Sequence, residues 1–155
     1  MPDRSKVKDA TVRMAKYCAY QERSAKEINA KLIELELSQL EEEEVWAYLK
    51  KEKYHDEERY VRAIVRGRFN YKSWGKVKLR YYLSKQDIST DLIDRIFDEE
   101  IDIKDYTRKV NELVRSKIGL KEKLAFEDKQ KIIRSLYQKG FESEIVIDQL
   151  NQLIN

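Results

Sequence analysis

Glycine and proline are nearly absent from this chain: 155 residues contain four Gly and one Pro, and the Pro is residue 2. Sheets are punctuated by turns that use glycine for positive φ and proline for a preset φ, so a chain this poor in both has little with which to close hairpins. Glu, Lys, Leu and Arg, all good helix formers, dominate the rest. The expectation is an all-α fold. Helix starts are legible as well. Ser24-x-x-Glu27 and Ser38-x-x-Glu41 fit the capping box, in which the hydroxyl accepts from the amide three residues on and the carboxylate reaches back. Asp56 and Ser89 read as further N-caps.

A register search finds an internal repeat. Ile28, Leu32 and Leu37 superpose on Leu79, Leu83 and Ile88 at an offset of 51, and these on Ile132, Leu136 and Phe141 at an offset of 53. Each copy puts two apolar residues four apart on one helix face, a third five later at a turn, and then a new amphipathic pattern. Ser24, Gly75 and Asp128 fall at the equivalent helix start as N-caps, and DATVRMAKYCAY, DEERYVRAIV and DIKDYTRKVNELV supply one helix upstream of each copy. The expected organisation is therefore three tandem three-helix repeats, 7–53, 54–101 and 102–155. Units too small to bury their own faces would share core across their joints, giving an elongated, curved, right-handed type of helical array.

Charge is segregated along the chain. Arg59 to Gln86, RYVRAIVRGRFNYKSWGKVKLRYYLSKQ, holds nine Lys or Arg and six aromatics with no Asp or Glu, and DISTDLIDRIFDEE then supplies six acids against one Arg. Net charge is only +3, so a basic surface must come from patterning. On an ideal helix Arg59, Arg62 and Arg66 span an arc of about 60°. Tyr60, Ala63, Ile64 and Gly67 fall on the neighbouring face, which is expected to pack while the basic stripe is exposed. Arg68, Lys72, Lys76, Lys78, Arg80 and Lys85 continue the positive charge, with Phe69, Tyr71, Trp74, Tyr81 and Tyr82 interleaved. Arginine planes and aromatic rings beside positive charge suit a partner bearing carboxylates or phosphates.

Other chemistry has little support. The charged and hydrophobic fractions, 39% and 41%, fit neither a disordered tail nor a membrane protein. No apolar run approaches the roughly 20 residues of a spanning helix. MPDRSKVKDATVRMAKYC lacks an apolar signal core, and a cytoplasmic location is expected. Cys18 is the only cysteine, which excludes an internal disulfide and reads as a packing residue. The acids at 41 to 44 open a helix, where the helix dipole favours them, and neighbouring positions on a helix diverge too far to hold a metal. His55 reads as an exposed turn residue. With no phosphate loop, nucleophile elbow or metal-ligand pair, the chain is expected to be neither an enzyme nor a cofactor protein.

The stretch YHDEERYVRAIVRGRFNYKSWGKVKLRYYLSKQDIS resembles the central signature of the bacterial RecX regulatory family through Asp56, Arg59, Tyr60, Arg66, Arg68, Trp74, Gly75, Lys78, Leu79, Leu83, Lys85 and Ile88. ERSAKEINAKL resembles the family's first segment through Ser24, Glu27, Ile28, Lys31 and Leu32. Two turns depart from the pattern: Gln86-Asp87 and Leu35-Glu36 stand where a glycine is common. The resemblance implies three tandem three-helix repeats and a non-enzymatic regulator that binds the RecA recombinase filament, lies in its groove and restrains its recombination, ATPase and coprotease activities. It further implies a monomer acting on the RecA filament, with single-stranded DNA as a second candidate partner and no membrane. On that reading Arg59, Arg62, Arg66, Arg68, Lys72, Lys76, Lys78 and Arg80 form the contact surface, with Trp74 as aromatic anchor. Arg59 and Tyr60 also admit a structural role. The alternative function is a direct nucleic-acid-binding module that uses the same stripe on phosphates and the aromatics on bases.

Overall fold

The structure, a computed structural model, describes residues 1–154; Asn155, the last residue of the expected third repeat, lies outside them. The described residues are all-α: α1 Arg4–Tyr20, α2 Ala25–Ile33, α3 Gln39–Lys51, α4 Glu57–Lys72, α5 Lys76–Lys85, α6 Thr90–Glu100, α7 Ile103–Ile118, α8 Phe126–Gln138 and α9 Ser143–Leu153. The chain divides into two compact units, Met1–Ala63 and Ile64–Asn155, with the boundary inside α4.

In the first unit α1 packs on α3 and α2. Ala10, Met14 and Cys18, four apart on α1, meet Ile28 and Leu32 of α2 and Val45 and Leu49 of α3 in one buried cluster. Each large side chain so buried contributes about 1.5–3 kcal/mol. Both capping boxes are formed, at Ser24/Glu27 and Ser38/Glu41. Glu41 has a second task. Its Oε1 accepts from the Ser38 amide and its Oε2 from the Asp3 amide, each at 2.8 Å, so the buried carboxylate ties the start of α1 to the start of α3.

In the second unit α7 and α8 pack on α9, and α5 packs on α6. Phe69 stacks on Tyr106 with ring centroids 5.8 Å apart, and Tyr106 meets Phe141 at 5.5 Å with the rings tilted by 44°. The repeated apolar triplets are core positions: Ile28, Leu32, Leu79, Leu83, Ile88, Ile132, Leu136 and Phe141 are buried and Leu37 is half-buried. Their spacing has a local cause. α5 and α8 end in Schellman motifs, in which the Ile88 amide donates to the Leu83 carbonyl and the Phe141 amide to the Leu136 carbonyl. That motif brings an apolar side chain just past the helix onto one in its last turn, which is the five-residue step of the repeat. The residue between, at positive φ, is Glu36 (53°), Asp87 (61°) and Gly140 (101°) in the three copies. The two departures from glycine therefore keep the turn geometry rather than changing it.

Three local expectations need correction. The buried face of α4 is Tyr60, Val61, Val65 and Phe69, while Ala63 is exposed and Ile64 and Gly67 are half-buried. The ladder Val61, Val65 and Phe69 offers far more apolar surface than Ala63 and Gly67, and the larger payload sets the phase. Asp128 is not an N-cap but sits in the first turn of α8, behind Ala125. A carboxylate there still meets the positive end of the helix dipole, so both placements suit the residue type. His55 is half-buried at the α3–α4 turn, its ring edge-on to Trp46 at 5.2 Å and its Nε2 without a hydrogen-bond partner.

Candidate functional site

Among the expected contact residues, Arg59 and Arg62 belong to the first unit and the other seven to the second. In the first unit the arginines are engaged. Arg59 Nε donates to Glu22 at 2.7 Å and its guanidinium to the carbonyls of Lys53 and Tyr54, closing the turn that ends α3. Arg62 pairs with Glu58 one turn earlier on α4 at 3.1 Å. The structural reading of Arg59 is thus the one with a visible mechanism: it supplies donors to two carbonyls of the turn between α3 and α4.

In the second unit the basic residues divide into two sets. Arg66 and Arg80 are held by α6. Arg66 clasps Glu100 through Nε at 2.5 Å and Nη2 at 2.8 Å, and Arg80 reaches Asp94 at 2.5 Å. The acid-rich segment that follows the basic one in sequence therefore returns as a helix against it. Part of the charge segregation serves folding, through one bidentate pair, Arg66 with Glu100, of the kind strongest among surface ion pairs, and one single-contact pair, Arg80 with Asp94.

Arg68 and Lys78 instead flank Trp74. The Arg68 guanidinium lies 4.8 Å from the Trp74 ring centroid and 4.9 Å from that of Tyr82, and Lys78 Nζ lies 4.5 Å from Trp74. Trp74 and Tyr82 meet edge to face at 5.7 Å. Each such cation–ring contact contributes about 0.5–2 kcal/mol, depending on how dry it is. All four residues are half-buried, so Trp74 is a packed plate between two cations and not a free-standing anchor. Lys72 is exposed at the end of α4, and Lys76 Nζ stands 4.8 Å over the ring of Tyr106.

What positions this cluster is the seat of α5. The first amides of a helix need acceptors from outside it. Here the Gly75 amide donates to the Lys139 carbonyl at 2.8 Å, the Lys76 amide to the Tyr106 hydroxyl at 3.0 Å, and the Val77 amide to the Gly140 carbonyl at 2.9 Å. A side chain on Gly75 would meet the carbonyl carbon and oxygen of Gly140 at 2.3 Å, so only glycine fits. The Tyr106 hydroxyl in turn donates to Glu142. Burial and then that hydrogen bond push the phenol far above its ordinary pKa, which keeps the donor protonated. The tryptophan-glycine pair thus joins a surface plate to a close backbone junction.

Two exposed tyrosines stand beside the cluster outside the expected contact set: Tyr71 is 89% exposed and Tyr81 65%, the latter with Lys85 Nζ 5.2 Å from its ring. Helix phase could have singled out Tyr71, which lies two residues, or about 200° of rotation, from the buried Phe69. Among the described residues no group of His, Cys, Asp and Glu side chains could hold a metal, and no helix is long and apolar enough to cross a membrane. Cys18 is buried, and burial raises its thiol pKa.

The chain resembles known proteins over most of its length. Residues 56–95 match the family description "RecX, second three-helix domain" and residues 105–148 match "RecX, third three-helix domain". The protein named Regulatory protein RecX from Oceanobacillus iheyensis is 27% identical over 138 residues, covering 88% of this chain and 50% of the relative. The protein of that name from Staphylococcus haemolyticus is 25% identical over 140 residues, covering 88% and 51%. The chain thus spans about half the length of these curated relatives. In fold it is similar to the crystal structure of RecX from Lactobacillus salivarius, with a TM-score of 0.83 at 21% identity over 96% of this chain and 97% of that one. A second crystal structure, of regulatory protein RecX, aligns with a TM-score of 0.77 at 21% identity over 96% and 72%.

Proposed function

The chain belongs to the RecX family, and from that premise we propose that it is a non-enzymatic regulator that binds the RecA recombinase filament on single-stranded DNA and restrains its recombination, ATPase and coprotease activities. The observation that carries the choice of surface is the cluster of Arg68, Trp74, Lys78 and Tyr82. It presents two cations on a rigid aromatic plate, next to exposed Lys72, and offers donors to anionic groups with little side-chain entropy left to lose. Arg59, Arg62, Arg66 and Arg80 border this surface in sequence but are tied up in ion pairs, so they act chiefly by placing α4 and α5. We propose the same three repeats as before, 7–53, 54–101 and 102–155, the two matched domains falling inside the second and third.

Binding to assembled filament, free recombinase and free single-stranded DNA, measured at one salt concentration, tests the reading. Tighter binding to filament than to either component supports the regulator. Equal binding to bare DNA, with a steep loss of affinity as salt rises, replaces it with direct nucleic-acid binding. The exposed rings of Tyr71 and Tyr81 favour that second reading, since bases stack on such rings.

A further inference from the structure

The carboxylates of α6 stand where an anionic partner of the basic face would bind. Arg80 and Asp94 meet at 2.5 Å with side chains 42% and 52% exposed, so both members of the pair lie at the surface. Arg66 is 62% exposed, but its acceptor Glu100 is only 11% exposed. Opening the second pair would take Arg66 from a carboxylate that meets little water, at a greater cost than opening the first, where Asp94 stays in solvent. Asp91, Asp98 and Glu99 add further exposed carboxylates to the same helix.

We propose that α6 is a built-in competitor for the basic face, in which Asp94 occupies Arg80 and lowers the affinity for any phosphate polymer that does not displace it. This rests on the reading that the partner meets the face carrying Arg68 and Lys78 with anionic groups. Bare nucleic acid, with evenly spaced phosphates, meets the α6 acids as well as the bases and is held weakly. A partner with discrete anionic groups gains Arg80 by exchange for Asp94. Arg66 stays closed and keeps α6 in place.

The test is binding of the wild-type chain and three variants to oligo-dT across a salt series. Asp94→Asn frees Arg80 and is expected to tighten binding two- to fivefold at low salt, the factor that corresponds to the usual coupling of an exposed pair. One recruited phosphate contact should also make the log–log salt slope steeper by about 0.7. Asp98→Asn removes the same charge one turn away from an exposed position on the same helix, and is expected to leave the slope unchanged. In Asp94→Asn combined with Arg80→Gln the gain should vanish. Circular dichroism checks that each variant is folded. An Asp94→Asn variant that binds no more tightly than Asp98→Asn, or a gain that survives loss of Arg80, overturns the proposal. Failure of the regulatory reading would appear elsewhere, as absence of filament preference in the wild type.

Discussion

Glu36 and Asp87 hold φ angles of 53° and 61°, a region that a side chain makes unfavourable by about 1–2 kcal/mol, least for Asp. The equivalent residue of the last copy is Gly140. Since glycine loses about 0.5–1 kcal/mol of chain entropy on folding, Glu36→Gly should still gain about 0.5–1 kcal/mol and Asp87→Gly less. Urea midpoints of the two variants check that order, and destabilisation by either would show that the side chain contributes more than its backbone costs. Two titrating groups give the stability a pH profile. Burial holds the His55 imidazole below its ordinary 6.5, so the unfolded chain takes up a proton that the fold resists. Stability should therefore fall as pH drops below about 6.5, and His55→Phe, which keeps a ring against Trp46, should remove that component. Hydrogen bonds from the amides of Ser38 and Asp3 hold Glu41 below its ordinary 4.5, so its contribution is kept above that pH and lost as the carboxylate protonates. Thermal midpoints from pH 4 to pH 8 should show a His55→Phe profile flat across the histidine range and falling only in the carboxylate range.

At the scale of elements, Gly67 and Gly75 make opposite demands. A methyl group on Gly67, inside α4, meets nothing within 4 Å, so Gly67→Ala should stabilise by about 0.5–1 kcal/mol through helix propensity. The same change at Gly75 drives a carbon into the backbone of the α8–α9 turn, and because backbone cannot step aside as a side chain can, the cost should meet or exceed the 1–3 kcal/mol of ordinary overpacking. Denaturation curves of the two variants test this pair, and a neutral Gly75→Ala would mean that α5 is not seated as described. The contrast also shows what sequence could reveal. Ser24, Ser38, Asp56 and Ser89 were legible as caps because the cap and the amide it serves lie within three residues. The apolar triplets were legible because a helix and its terminating turn have fixed periods. Gly75 read only as a helix start, since its acceptors are at Lys139 and Gly140, far along the chain. Arg66 and Arg80 read as an open stripe for the same reason: Glu100 and Asp94 are 34 and 14 residues away, and composition cannot say which acids return.

For the whole molecule, a net charge of +3 on 61 charged side chains means that position, not total, decides what the protein attracts. Ion pairs hold four of the expected contact arginines in the unbound protein, and the proposed contact charge falls first on Arg68, Lys72 and Lys78. Replacing these three by Gln should raise the concentration needed for half-inhibition of the recombinase's DNA-dependent ATPase by about tenfold, a modest 1.4 kcal/mol spread over three contacts. Helicity should be unaffected, because none of the three is buried. Lys8, Lys16 and Lys51 are exposed in the first unit, and replacing them by Gln removes the same charge from helices outside the proposed face. If attraction were a matter of net charge, both triple variants would weaken inhibition alike and by the same change in salt slope. If the plate around Trp74 makes the contact, only the first will. Equal loss in the two, measured on folded protein, would remove the α4–α5 face from the mechanism while leaving family membership untouched.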